Sequence, residues 1–328
     1  MEAAQPAVSI LTSAHGNEAD LNEMIESVRA QTLSDWELVV VDNEEDERVA
    51  TVLARWAEDP RIRTVRTAYR GLGPNVDAAA EAARGRYYAV VHGDDLLVPS
   101  FCERVTAILD AENDIDAVVV DAFPFVDGVD RPQSFHQLAG IVVEPGIGHR
   151  LTLAEIAGGR ALYYTAAIRA QAWKLGIGYL HDAPKVEDLA MFLRMLAAGC
   201  DIRVLPEQLA RYRLHADTMH GRRDDQDEYE SSIERVYQQV TELTADPAAL
   251  AAVDRHLRKI RYERAMRRSR EALRASDADL ARQQARLALQ QRRAVRPAVI
   301  CAALIVAPGA LRRAHRAKQI VAGLVRRG

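Results

Sequence analysis

The chain has few cysteines, few aromatics and none of the common phosphate-binding loops. Its three cysteines, Cys102, Cys200 and Cys301, are odd in number and far apart in 328 residues. They predict neither a disulfide framework nor a cysteine-based zinc site, and a reducing compartment follows as the expectation. Aromatics make up 5% of the residues, too few for recognition of single-stranded nucleic acid by stacking. No G-x-x-x-x-G-K-[ST] run occurs, and Gly71 and Gly73 lack the dinucleotide-binding spacing. The histidines form no H-E-x-x-H, and no nucleophile elbow G-x-S-x-G is present. The stretch from Met1 to Val8 is too poor in apolar residues for a secretory leader.

With 48% hydrophobic and 27% charged residues the composition is that of a globular protein. The net charge of −4 hides a split. Residues 281–328 hold eleven Arg or Lys and no acid, which leaves 32 basic against 47 acidic side chains in the rest. The body should repel polyanions and the tail attract them, so no nucleic-acid partner is expected for the body. Ala298–Leu311 is almost wholly apolar but shorter than the ~20 residues that span a bilayer. Beyond it, Leu311, Ala314, Ala317, Ile320, Val321, Leu324 and Val325 recur at helical steps, with arginines on the other side. That pattern suits a helix lying on an anionic membrane surface, or one that packs on its own protein with a solvated basic face.

In the first half, short β-rich runs alternate with helical patterns. Strands are expected at Val8–Leu11, Glu37–Asp42, Ile62–Val65, Arg86–Val91 and Asp116–Asp121. Helices are expected from Asp20 (read as a capping-box start with Glu23), at Arg48–Glu58, over 74–84, and after Pro99. Such alternation predicts an α/β fold with a doubly wound, mostly parallel sheet and helices on both faces. In such sheets ligands sit at the carboxyl ends of the strands, where Asp42 and Asp94 are placed. Residues 122–185 are less regular and should build one wall of the site. Glu187–Ala198 reads as a helix ended by Gly199, and a strand follows near Ile202–Leu205. From about Tyr229 onward the pattern is helical, with a turn at Ser276-Asp277.

The chemistry-bearing residues are acids. Asp94 and Asp95 follow a buried strand, and adjacent carboxylates repel unless a cation or water separates them. A hard divalent ion with oxygen ligands would resolve that repulsion and could also hold a diphosphate. Asp95 could instead only cap the turn before Pro99, and Asp42 could be a solvated loop acid. Glu187 and Asp188 stand at a helix start, where the dipole favours a carboxylate and where a general base could also face the site. His215 could be a further metal ligand or a structural histidine.

Taken in order, these residues resemble glycosyltransferase family 2. Val8–Leu11 followed by Thr12–His15 stands where the family has a strand ending in P-T-Y-N. Ser27-Val28 with Gln31-Thr32 is similar to S-V-x-x-Q-T/S, and Trp36–Asp42 to the second strand with its terminal Asp. Ala83–Asp95 is similar to A-x-G-x-Y-I-x-F-L-D-x-D-D, with His92 in place of the first Asp. Glu187-Asp188 with Arg194 is similar to E-D-x-x-x-x-x-R, and Tyr212–His215 to Y-R-x-H. Ala14 replaces the usual Tyr, Asn43-Glu44 the usual Asp-Gly, and Asp77 a common Asn.

The resemblance implies a GT-A fold over residues 1–222, then a helical extension over 223–292 and a membrane-associating tail over 293–328. It implies inverting, metal-dependent transfer of a sugar from a nucleoside-diphosphate donor, UDP-linked or otherwise, to a glycan or lipid-linked acceptor. Asp188 would be the catalytic base. Thr12, Ala14, Asp42, Asp77, Gly93, Asp94 and Asp95 would bind the nucleotide sugar. Glu187 and Arg194 would face the acceptor, and Asp94 and His215 would hold Mg²⁺ or Mn²⁺. Lipid-linked acceptors and the basic tail together suggest the inner face of the cell membrane. A nucleotidyltransferase acting on sugar phosphates would need a Lys-containing loop near the first strand, and Thr12–Asp20 has no Lys. A catalytically silent scaffold is the other alternative, motivated by His92 and Ala14.

Overall fold

A computed structural model describes residues 5–14, 17–43, 47–69, 71–143, 145–159, 165–175, 184–214 and 226–292, with 295, 298–299 and 302–303. They fall into two compact units, divided between Leu250 and Ala251. The basic tail beyond residue 303 and His215 lie outside the described residues.

The first unit is built on a mixed sheet. Its strands are β1 (Val8–Ser13), β2 (Trp36–Asp42), β3 (Ile62–Arg66), β4 (Tyr87–Val90), β5 (Leu96–Leu97), β6 (Ala117–Val126), β7 (Val129–Asp130), β8 (His149–Arg150), β9 (Ala166–Arg169) and β10 (Ile202–Arg213). The path through the sheet runs β3-β2-β1-β4-β9-β6-β10-β5. The pairs β1·β2, β2·β3, β1·β4 and β6·β10 are parallel, while β9 inserts antiparallel between β4 and β6. All six residues of β1 and all seven of β2 are buried, as continuous apolar runs covered on both faces should be.

The helices follow their apolar stripes. In α1 (Glu18–Arg29), Leu21, Met24, Ile25 and Val28 are buried at helical spacing and join a core with Ile10, Leu38 and Val40. Helices α2 (Glu47–Arg55) and α4 (Phe101–Ala111) contribute Val52, Phe101 and Val105 to the same core. Helix α3 (Leu72–Ala82) packs against β1, β2 and β3. The short helices α5 (Phe135–Leu138), α6 (Leu153–Ala157) and α7 (Ala170–Leu175) occupy the irregular middle of the chain. They are followed by α8 (Glu187–Ala197) and α9 (Gln226–Leu243). Gly199, at φ +90°, ends α8 in the left-handed region that glycine enters without steric cost.

Three expectations change. The cap of α1 is Asn17 rather than Asp20: its Oδ1 accepts the Asp20 N–H at 2.8 Å, and Asp20 sits inside the first turn. Strand β10 does not stop at Leu205. Pro206 cannot donate to the ladder, so the strand bulges between Val204 and Ala210 and then resumes its pairing with β6. Strand β6 likewise runs past Asp121 to Val126.

The amino end of the sheet is locked by a buried carboxylate. Glu37 of β2 accepts from the Ser9 hydroxyl at 2.6 Å, the Arg84 N–H at 2.6 Å, and the guanidinium groups of Arg63 at 3.0 Å and Arg84 at 2.8 Å. Gly85 donates its N–H to the Ser9 Oγ at 2.8 Å. A Cβ on Gly85 would stand 2.6 Å from both the Ser9 nitrogen and its Oγ, so glycine is required by this close approach.

The second unit contains most of α10 (Pro247–Arg274) and α11 (Ala278–Gln291). Ser276 at φ +68° turns the chain, and Asp277 caps α11 by accepting the Leu280 N–H at 2.9 Å. Ala281 and Ala285 pack against Ala272 and Leu273, and Ala288 against Ala265 and Met266. Small residues on both sides let the two helix backbones approach closely.

Candidate active site

The site begins where β4 ends. The Val91 N–H bonds to the Leu11 carbonyl at 3.0 Å, and the buried Thr12 hydroxyl donates to the Val91 carbonyl. The hydroxyl of Thr12 thereby ties β1 to the start of the acidic turn. The turn closes when the Asp95 N–H reaches the His92 carbonyl at 3.1 Å, with Gly93 inside it. This folds three side chains together: His92, Asp94 and Asp95 each offer a ligand atom, and these atoms lie within 4.8 Å of one another. Asp95 is buried, while His92 and Asp94 are half-buried.

The far end of β10 braces the turn. The Arg213 N–H bonds to the Asp95 Oδ1 at 2.9 Å and its Nε to the Asp94 carbonyl at 2.8 Å. The rest of the guanidinium reaches the Glu23 Oε2 at 2.7 Å and the Asp20 Oδ1 at 3.3 Å, and it lies 4.6 Å from the Phe125 ring centre. Sequence reasoning takes the Tyr212–His215 segment for its histidine and overlooks Arg213. The signal in the sequence is weak: a charged side chain one residue past a tyrosine, beyond a proline that reads as the end of the strand. Tyr212 is the second omission. Burial, then the charges of Asp95, Asp94 and Asp188, push its hydroxyl up to about 12. The three acids therefore share one electrostatic environment with this ring.

Helix α8 supplies the other carboxylates. Its N-cap, Val186, makes no side-chain cap, and the Leu189 N–H bonds to the Asp188 Oδ1 at 2.7 Å. Burial pushes the Asp188 carboxyl above the usual range, against the opposing pull of the Leu189 N–H and of His92. Glu187 is also pushed up by burial, with the Asp188 charge adding to the shift. Arg194 lies in the last turn of α8, about 9 Å along the axis from Asp188 at 1.5 Å per residue.

On the neighbouring strands, Ala14 is buried and its N–H bonds to the Val41 carbonyl at 2.9 Å. Asp42, buried at the end of β2, accepts the Thr67 N–H on its carbonyl at 3.1 Å. With Thr64, Arg66 and residues of α2 it lines a cavity of about 300 Å³. Asp77 is half-buried on α3. Two residues before it, the buried Asn75 donates to the Ser13 Oγ at 3.0 Å. Its own Oδ1 finds no partner among the described residues. Asn75 is thus a second polar group at the carboxyl end of β1 that the sequence reading does not single out.

Two carboxylates and one imidazole, held on a braced turn, make a donor set that fits a divalent cation. The family model for Glycosyl transferase family 2 matches residues 9–177. The chain belongs to glycosyltransferase family 2. Among curated relatives, EpsH of Bacillus subtilis, named as a glycosyltransferase, is 29% identical over 111 residues, 34% of this chain and 32% of that protein. The chain spans a third or less of the length of the first curated relatives it matches. Among solved structures, S. aureus TarS in complex with UDP-GlcNAc superposes with a TM-score of 0.60 at 14% identity, covering 86% of this chain and 81% of that one. The mannosyltransferase PcManGT of Pyrobaculum calidifontis, in complex with GDP-Man and Mn²⁺, gives 0.57 at 15% identity, covering 92% and 79%. These likenesses show the GT-A fold, and residues 9–177 match the glycosyltransferase family 2 domain.

Proposed function

We propose that this glycosyltransferase moves a sugar, with inversion, from a nucleoside-diphosphate donor to a hydroxyl of a glycan or lipid-linked acceptor, and that the transfer depends on a divalent cation. The observation that carries the reading is the placement of Asp188. A carboxyl raised by burial at the start of α8 shares its surroundings with the His92–Asp95 turn through His92 and Tyr212. A raised carboxylate is a stronger base, and one beside a diphosphate site can serve an incoming hydroxyl. The nucleotide ligands of TarS and PcManGT and the Mn²⁺ of PcManGT agree with this reading.

Asp188 takes the proton of the acceptor hydroxyl on a carboxylate oxygen. The hydroxyl oxygen bonds to the anomeric carbon from the face opposite the diphosphate. The bond between that carbon and the diphosphate oxygen breaks, and the nucleoside diphosphate leaves with the electron pair. No enzyme-linked intermediate is needed. Asp94, with Asp95 beside it and His215 as a further ligand, would hold Mg²⁺ or Mn²⁺, which supplies positive charge where the leaving group gains negative charge. Asp42 and Asp77 would orient the nucleoside beside Ala14, Thr12 and Gly93 would shape the cradle, and Glu187 and Arg194 would face the acceptor.

In this reading residues 1–222 are the catalytic domain, 223–292 a helical extension and 293–328 a tail that binds an anionic membrane surface at its inner face. No helix among the described residues is long and apolar enough to cross a membrane. The test is Asp188→Asn. It should bind UDP- or GDP-sugar donors as the parent does and lose transfer; transfer at the parent rate would refute the base assignment.

A further inference from the structure

The acidic turn differs from the family pattern at one position: His92 stands where an acid is usual. The turn does not send this side chain away. Its backbone is fixed at both ends, by the Val91 N–H on the Leu11 carbonyl and by the Asp95 N–H on the His92 carbonyl. The imidazole comes to rest with a ring nitrogen within 4.8 Å of oxygens of both Asp94 and Asp95. The Arg213 N–H holds the Asp95 carboxylate and the Arg213 Nε holds the Asp94 backbone carbonyl, which fixes the turn and the Asp95 carboxylate beside the imidazole.

Donor type decides which cation such a group holds best. Carboxylate and water oxygens suit Mg²⁺ and Mn²⁺ alike, whereas an imidazole nitrogen favours the first-row transition metals and is a poor ligand for Mg²⁺. Replacing an acid by a neutral imidazole also removes one negative charge from the site. That weakens a purely ionic grip, on which Mg²⁺ depends, more than a grip with a coordinate nitrogen bond. From this set we infer that the His92 imidazole is itself a ligand of the catalytic cation, and that it makes the site select Mn²⁺ over Mg²⁺. The inference rests on the cation-dependent reading above and adds the identity of the ligand and the direction of the selectivity.

His92 also lies within electrostatic reach of Glu187 and Asp188, so a role as a hydrogen-bond partner of the base is the rival to be separated. The experiment reads binding rather than turnover. Chelator-treated full-length protein is titrated with Mn²⁺, alone and with UDP or GDP, and free Mn²⁺ is followed by its paramagnetic resonance signal. Mg²⁺ is titrated in competition. Pulsed resonance of the bound Mn²⁺ then detects nitrogen ligands in protein labelled with ¹⁵N-histidine and in unlabelled protein.

The parent should show a histidine nitrogen coupling that persists in His215→Asn and is lost in His92→Asn made in that background. His92→Asp, which restores the usual acid and preserves the turn, should lower the Mn²⁺:Mg²⁺ affinity ratio by about tenfold or more. Mn²⁺ that binds and is lost in Asp94→Asn, yet shows no His92 coupling and an unchanged ratio in His92→Asp, overturns this inference and leaves the cation site standing. If Mn²⁺ does not bind to the parent at all, the cation-dependent reading falls and this inference with it.

Discussion

At the amino end of the central sheet, Glu37 is buried, and burial works against its charge. Ser9, the Arg84 N–H and the guanidinium groups of Arg63 and Arg84 together outweigh that cost and hold the carboxyl below its ordinary value. At the carboxyl end, burial also dominates at Glu187 and Asp188, but the groups that oppose it are weaker and the carboxyls stay above their ordinary values. The Arg213 guanidinium bonds to the Asp94 carbonyl, Glu23 and Asp20. One fold therefore treats buried acids in two ways. Where a carboxylate only joins strands, the chain supplies the counter-charge itself. Where chemistry is proposed, Asp94, Asp95 and Asp188 gather around Tyr212, and a cation and a substrate proton are proposed to act there.

The sharpest way to break this contrast is at Asp188. Asp188→Asn should lower the turnover number by about 10²–10⁴-fold with donor affinity unchanged, as measured by steady-state transfer and by titration with the nucleotide sugar. Because the ionised form is the active base, the parent rate should fall as the pH drops through an apparent value above that of an ordinary aspartate. A parent acid limb at the ordinary value would place the base elsewhere.

Glu37→Gln tests the opposite end. The fully buried charge is lost while Arg63 and Arg84 remain partly solvated, so about 3 kcal/mol of stability should go at neutral pH, read by urea unfolding. The parent holds this stabilisation in full above the unfolded carboxylate value and loses it as the pH falls through the depressed folded value. The Gln variant should lack that part of the acid slope. Arg213→Lys keeps a charge near Glu23 but removes the fork, and Mn²⁺ affinity should drop by about tenfold or more with the melting temperature little changed. The smallest effect belongs to Asn17→Ala, which should cost about 1 kcal/mol through loss of the α1 cap and leave both carboxylate clusters untouched.

Much of the contrast could be read from the sequence, for identifiable reasons. The buried runs of β1 and β2 and the helical spacing of α1 to α4 are legible in the sequence and put Asp42 at a strand end and Asp94 just beyond one. What stayed hidden depended on partners distant in sequence. Glu37 looks like one acid in an apolar strand until Arg63 and Arg84 are seen to converge on it. Pro206 reads as the end of a strand, so the stretch that carries Tyr212 and Arg213 to the acidic turn could not be seen as one element. Asp20 matched a capping pattern, but Asn17, three residues earlier, takes the bond. Strand β9 is four residues long and flanked by irregular chain, and local periodicity cannot show that it inserts antiparallel into a parallel series.

The bond from the Arg213 N–H to Asp95 joins residues 118 apart in the chain. During synthesis at roughly ten residues per second, Asp95 emerges about ten seconds before the strand that braces it. The acids of the turn therefore gain this bond only after β10 has been made and laid beside β6, so the site is completed late in synthesis.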